Sequence, residues 1–155
     1  MSAAACTAGL ISDTHGMVRP AALQALHSVE LIIHAGDVGS QAVLDELAGV
    51  APVHAVRGNT DGPPLSATLP QTRVVQLGGV SLYVLHDLSD LDLDPSAAGI
   101  RVVVHGHIHR PDVSWHGDVV YVNPGSAGPR RLDIPPSVAR IVVCGNEVQI
   151  EMVEL

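Results

Sequence analysis

Five segments of the chain end an apolar run in Asp, Asn or His, most of them beside glycine. They read LISDTHG with Asp13 and His15, IIHAGDVG with Asp37, AVRGNTDG with Asn59 and Asp61, LYVLHD with His86, and VVVHGHIH with His107 and His109. Such groups are costly to bury without partners. The carboxyl ends of strands in open α/β sheets are where ligands bind. Glycine there lets the backbone turn tightly and come close to a small ligand. Polar groups from several strand ends can therefore meet at one point: the carboxylates of Asp13 and Asp37, the amide of Asn59, and the imidazoles of His15, His86, His107 and His109.

That donor set points to metal chemistry. It has no thiolate, which argues against a soft-metal or zinc-finger site, and it is too rich in imidazole for a pure Mg²⁺ or Ca²⁺ cage. Mixed nitrogen and oxygen ligands suit Mn²⁺, Fe, Zn²⁺, Co²⁺ or Ni²⁺. Seven side chains exceed the needs of one tetrahedral ion. With one bridging carboxylate, two ions about 3.5–4 Å apart would each have four protein ligands. Two divalent ions carry about +4 and two Asp about −2, and the surplus of about +2 matches a hydroxide and a singly charged phosphodiester.

The elements that position these residues can be read from the apolar pattern. Strands are expected at 7–12, 30–35 and 52–57. Between them, Pro20 opens a helix with Leu23, Leu26 and Val29 on one face. Ser40 caps a second helix carrying Val43, Leu44 and Leu47, which Gly49 ends. Alternating strand and helix argues for parallel pairing with right-handed crossovers. Further strands are expected at 72–77, 80–85, 101–105, 112–116, 118–122, 138–144 and 147–153. The last two flank Gly145-Asn146 as a hairpin. Residues 88–97 fit a short helix or a loop, and the proline-rich pieces 60–70 and 129–137 read as loops. The expected architecture is two sheets face to face with helices outside, in one domain spanning 1–155.

Composition narrows the function classes. The chain has 155 residues, 46% of them hydrophobic, with no Phe and one Trp. The core must come from Val, Leu, Ile and Ala, which suits strands buried on both faces. A net charge of −8 argues against broad nucleic-acid binding and against anionic membranes. No apolar run approaches the roughly 20 residues of a membrane span. The first residues show no basic segment leading into an apolar stretch, so no secretion signal is expected. Cys6 and Cys144 form no CxxC, and a reduced, cytoplasmic setting follows as the expectation.

In chain order, Asp13-Thr14-His15, Gly36-Asp37, Gly58-Asn59-Thr60-Asp61, His86 and Gly106-His107-Ile108-His109 resemble the motif blocks of the calcineurin-like metallophosphoesterases. The segment YVNPGSAGPRR (121–131) is similar to that of the compact bacterial and archaeal phosphodiesterase branch, whose domain has no cap. The resemblance implies a four-layer α/β/β/α sandwich and two divalent ions, Mn²⁺ first among them. It implies one ion held by Asp13, His15, Asp37 and His109, and another by Asp37, Asn59, His86 and His107, with Asp37 bridging. It further implies catalytic roles for Asn59, reaching a phosphate oxygen, and His107, and hydrolysis of a phosphodiester by a metal-bridging hydroxide. The implied substrate is a small phosphate ester or a nucleotide, and the implied assembly a homodimer or homotetramer.

Two positions depart from the family pattern. Thr60 stands where many members have His, and the compact branch often Cys, to protonate the leaving group. Asp87 follows His86 where Gly is usual. Asp61 and Asn123-Pro124-Gly125-Ser126 are expected to shape loops. His34, His54 and His105 are expected to pack in strands, and His27 and His116 to lie on the surface. Arg57, Arg110, Arg130 and Arg131 receive no role. The alternative function is a non-catalytic protein-interaction scaffold, as in the retromer subunit of this fold.

Overall fold

The computed structural model describes residues 4–131 and 133–155. Two five-stranded mixed sheets lie against each other. The first has the order β10-β9-β1-β2-β3 and the second β4-β5-β6-β8-β7. The strands are β1 Cys6–Ile11, β2 Leu31–His34, β3 Val53–Ala55, β4 Thr72–Leu77, β5 Val80–Leu85, β6 Ile100–Val104, β7 Asp112–His116, β8 Val119–Asn123, β9 Ser137–Cys144 and β10 Glu147–Glu154. β1, β2 and β3 run parallel in the first sheet, and β5, β6 and β8 in the second. The remaining pairings are antiparallel.

Side-chain alternation produces the layers. Leu82 and Val84, Val102 and Val104, and Val120 and Val122 point between the sheets, where they meet Leu10, Ile33, Val56 and Ile141. Their neighbours Tyr83, Leu85, Val103 and Val119 face outward and are also buried. Both faces of these strands are therefore apolar, as expected when each is covered. Through most of β10 only one face is covered, so Val148, Ile150 and Met152 pack inward while Glu147 and Glu151 are exposed; at its end Val153 packs on the other side.

The two outer layers differ. Over the first sheet lie α1 Pro20–Ala25, α2 Gln41–Ala48 and α3 Leu65–Thr68, which bury Ala22, Val43, Leu47 and Leu65. Over the second lie one 3₁₀ turn, Leu88–Asp90, and the loop after it, through Leu88, Leu91 and Leu93. The ambiguous segment 88–97 is thus mostly loop, and the expected loop 60–70 contains the helical turn α3. Ser40 occupies the N-cap of α2 in extended backbone, but its side chain makes no capping bond. Among the described residues, no helix is long and apolar enough to cross a membrane.

Candidate metal centre

Every motif block lies just past the carboxyl end of a parallel strand: Asp13 and His15 after β1, Asp37 after β2, Asn59 after β3, His86 after β5, and His107 and His109 after β6. The two sheets place these ends at one edge of the sandwich. Close backbone approach is needed there. A Cβ on Gly58 would overlap the Asp37 carboxylate, and one on Gly106 would overlap Ser12 Oγ and Asp13 Oδ2. Asp13, His15, Asp37, His107 and His109 all take positive φ, between 47° and 74°. Asp and His enter that region more readily than most residues, yet a cluster of strained backbone marks a functional site.

All seven expected ligand residues come together, in two groups sharing Asp37. In the first, Asp13, His15, Asp37 and His109 each offer a donor atom, all within 4.8 Å of one another. His109 Nε2 is 3.2 Å from Asp13 Oδ1, and His15 Nε2 is 3.8 Å from Asp37 Oδ2. In the second, His86 Nε2 lies 3.3 Å from Asp37 Oδ2 and 3.0 Å from Asn59 Oδ1. His107 Nδ1 lies 3.2 Å from the same Asn59 oxygen.

The polar bonding around these groups fits cations. Asp13 is fully buried; its Oδ2 accepts from Ser12 Oγ at 2.6 Å and from the His107 N–H at 3.1 Å. Its Oδ1 faces the site with no hydrogen-bond partner among the described residues. His86 Nδ1 donates to the Ala35 carbonyl at 2.8 Å, so Nε2 points its lone pair at Asp37 and Asn59, both acceptors. Acceptors aimed at acceptors require positive charge between them. Protons are one source: burial pushes the His86 pKa down, but the Asp37 carboxylate and the Ala35 carbonyl outweigh it and leave it raised. Metal ions are the other. Burial likewise pushes Asp37 up, but His86 and both the backbone N–H and the hydroxyl of Thr60 hold it well below the usual carboxylate range. Burial lowers the His109 pKa, which favours the neutral imidazole that can ligate.

Residues 7–146 match the calcineurin-like phosphoesterase superfamily domain. The chain belongs to this superfamily. A probable metallophosphoesterase of Methanothermobacter thermautotrophicus is 32% identical over 157 aligned positions, which cover 94% of this chain and 90% of that protein. The structure of an archaeal phosphodiesterase superposes with a TM-score of 0.76 at 22% identity, covering 96% of this chain and 99% of the other. Vps29 of Entamoeba histolytica, crystallised with Zn²⁺, superposes with a TM-score of 0.73 at 20% identity, covering 96% and 98%. These two likenesses show the fold. Family and side-chain cluster together support divalent metal ions as cofactor and a metal-dependent phosphoesterase as the class.

Several residues of this calcineurin-like domain have supporting tasks. Asp61 accepts the backbone N–H groups of Val38, Gly39 and Gly58, tying the Asp37 and Asn59 loops together. Asn123 bridges Gly106 and Gly125, and Ser126 Oγ donates to the Asp13 carbonyl, so this loop acts on shape. His34 does more than pack. Its Nδ1 accepts from the Gly36 N–H at 3.1 Å. Its Nε2 bonds Thr14 Oγ1 at 2.9 Å, and that hydroxyl donates onward to the Val38 carbonyl. Burial pushes its pKa down to about 4, so it is neutral at pH 7. The Thr60 N–H donates to Asp37 Oδ1 at 3.0 Å. In the sequence Ser12 and Thr14 receive no role, and His34 is expected only to pack. Their only signal is position, two of them flanking Asp13. Of the arginines, Arg57 lines a cavity of about 280 Å³ beside Asn59 and His86, and Arg131 lines one of about 220 Å³ beside His15 and His109.

Proposed function

We propose that the protein is a binuclear-metal-dependent phosphoesterase that hydrolyses phosphodiesters, with Asp13, His15, Asp37 and His109 holding one ion and Asp37, Asn59, His86 and His107 the other. The observation that carries this reading is the sharing of Asp37 between two groups of converging acceptors. Bound there, two divalent ions supply Lewis acidity and lower the pKa of water toward about 7. Asn59 is exposed and turns its Oδ1 to His86 and His107, which leaves its amide N–H groups for a phosphate oxygen. Asp13 and Asp37 cancel about half the charge of two divalent ions, and the remaining charge of about +2 suits a singly charged diester together with one activated water. The cavities on the two sides of the centre give each ester arm somewhere to lie.

The chain offers no proton donor to the leaving group at position 60. Thr60 is a weak acid, and its N–H donates to Asp37 Oδ1. Hydrolysis therefore favours esters whose leaving group departs without protonation. The test is metal-free protein reconstituted with Mn²⁺, Fe²⁺, Co²⁺, Ni²⁺ or Zn²⁺ and assayed on an aryl phosphodiester, an aryl phosphomonoester and nucleotide diesters. Metal-dependent turnover, fastest on the aryl diester, is expected. No turnover with any ion bound would favour the protein-interaction scaffold.

A further inference from the structure

His107 sits in the centre the opposite way round from its partners. His15, His86 and His109 all face the carboxylates through Nε2. His107 instead turns Nδ1 toward Asn59. A ring facing inward through Nδ1 carries Nε2 outward, toward solvent. The outer nitrogen of His86 is held by a backbone carbonyl. For His107 the facing group is Asp87 Oδ2, at 3.7 Å from Nε2. Asp87 is itself anchored: its Oδ1 accepts from the Ser89 N–H at 3.0 Å and from Ser89 Oγ at 2.8 Å, which caps the 3₁₀ turn. This leaves Oδ2 in a set place.

We propose that Asp87 is a positioning residue for the metal centre: it holds the outward Nε2–H of His107, so that the ring keeps Nδ1 directed at the cation position shared with Asn59 and His86. This inference rests on the paired centre proposed above, not on which ester is hydrolysed. The backbone of His107 is already placed, with φ at 74° and its N–H bonded to Asp13 Oδ2. What remains free is the ring's rotation, which Asp87 limits from one side and the edge-on His86 ring, 5.1 Å away, from the other. About a third of each side chain in the Asp87–His107 pair is exposed. Their attraction is therefore screened, and its effect falls on ring orientation rather than on fold stability. It also gives a use to the acidic side chain at a position where glycine would leave Nε2 to water. Outer partners of this kind alter metal affinity by about 10–100-fold.

The test is calorimetric titration of metal-free protein with Mn²⁺, for the wild type and for Asp87→Ala, Asp87→Asn and Asp90→Ala. The wild type should bind two ions. Asp87→Ala should keep the tighter ion and weaken the other by about 10–100-fold, with an unchanged melting temperature of the metal-free protein. Asp87→Asn, whose amide oxygen can stand opposite Nε2–H in the same place without the charge, should recover part of the loss. Asp90→Ala removes the same charge from the same turn and should change neither affinity. In the Zn²⁺-loaded protein, the imidazole ¹⁵N signals of His107 should report coordination at Nδ1 and a proton on Nε2, with that preference weakened in Asp87→Ala. Wild-type affinity for both ions in Asp87→Ala, or equal weakening in Asp90→Ala, overturns the proposal. Two ions bound without hydrolysis contradicts the proposed activity alone, whereas one ion at saturation overturns both.

Discussion

The two halves of the proposed centre share Asp37 but are built differently. Asp13, His15, Asp37 and His109 contribute two carboxylates, and Asp13 is locked by Ser12 and by the His107 backbone. Asp37, Asn59, His86 and His107 contribute one carboxylate and a neutral amide, and the His107 side chain is 38% exposed. Charge and burial both favour the first half, since an additional carboxylate ligand strengthens attraction to a cation in a partly desolvated site. The first half is thus a preformed cage, and the second is the half whose fit depends on its neighbours. Two ions should therefore bind stepwise, the tighter beside Asp13.

Removing the shared group breaks both halves at once. Asp37→Ala should abolish binding of both ions and cut kcat/KM by more than the ~100-fold that loss of a mere orienting partner causes. Metal analysis and steady-state kinetics check this. Retention of one ion at wild-type affinity would show that the halves are independent.

Acid should loosen the first half through His34, which ties the Thr14 turn to the Gly36 and Val38 backbone. Its pKa falls from 6.5 to about 4 on folding. Its stabilisation is then complete above pH 6.5, shrinks as pH falls, and is gone below about 4, a loss of about 3 kcal/mol. Urea unfolding of metal-free protein between pH 7 and 4 measures this, and His34→Gln should flatten the dependence.

The second half carries Thr60, and its lack of an acid should show as selectivity. With chemistry rate-limiting, aryl diesters should exceed matched alkyl diesters by about 100-fold, the low end of what a general acid contributes. Equal rates would mean that another group protonates the leaving oxygen. Asn59 offers the second half both a ligand oxygen and an amide for phosphate, so Asn59→Ala should lower kcat/KM by about 10–100-fold, no less than the loss of an orienting partner, while the tighter ion stays bound.

The convergence of the motif residues at the strand ends was legible in the sequence from their types and order, and Gly58 and Gly106 mark where backbone must pass a carboxylate. Strands such as Val80–Leu85 and Asp112–His116 were legible from apolar patterning and the turns that bound them. What stayed hidden depends on residues far apart in the chain. The Asp61 bonds to Val38 and Gly39 span more than twenty residues. The contact between Thr60 and Asp37 depends on β2 and β3 lying in register. The left-handed backbone of Asp13, His15, Asp37, His107 and His109 has no local requirement, since none of the five is glycine. Only the assembled edge of two sheets imposes it. For the same reason, the thin layer over the second sheet could not be read from residues 88–97, whose leucines suit a loop packed on Tyr83 and Val103 as well as a helix.

The most direct measurement is anomalous diffraction from crystals of the protein saturated with Mn²⁺. Two peaks at the strand ends, with the Asp37 carboxylate between them, are expected. A single peak confined to Asp13, His15 and His109, or none, would contradict a paired centre.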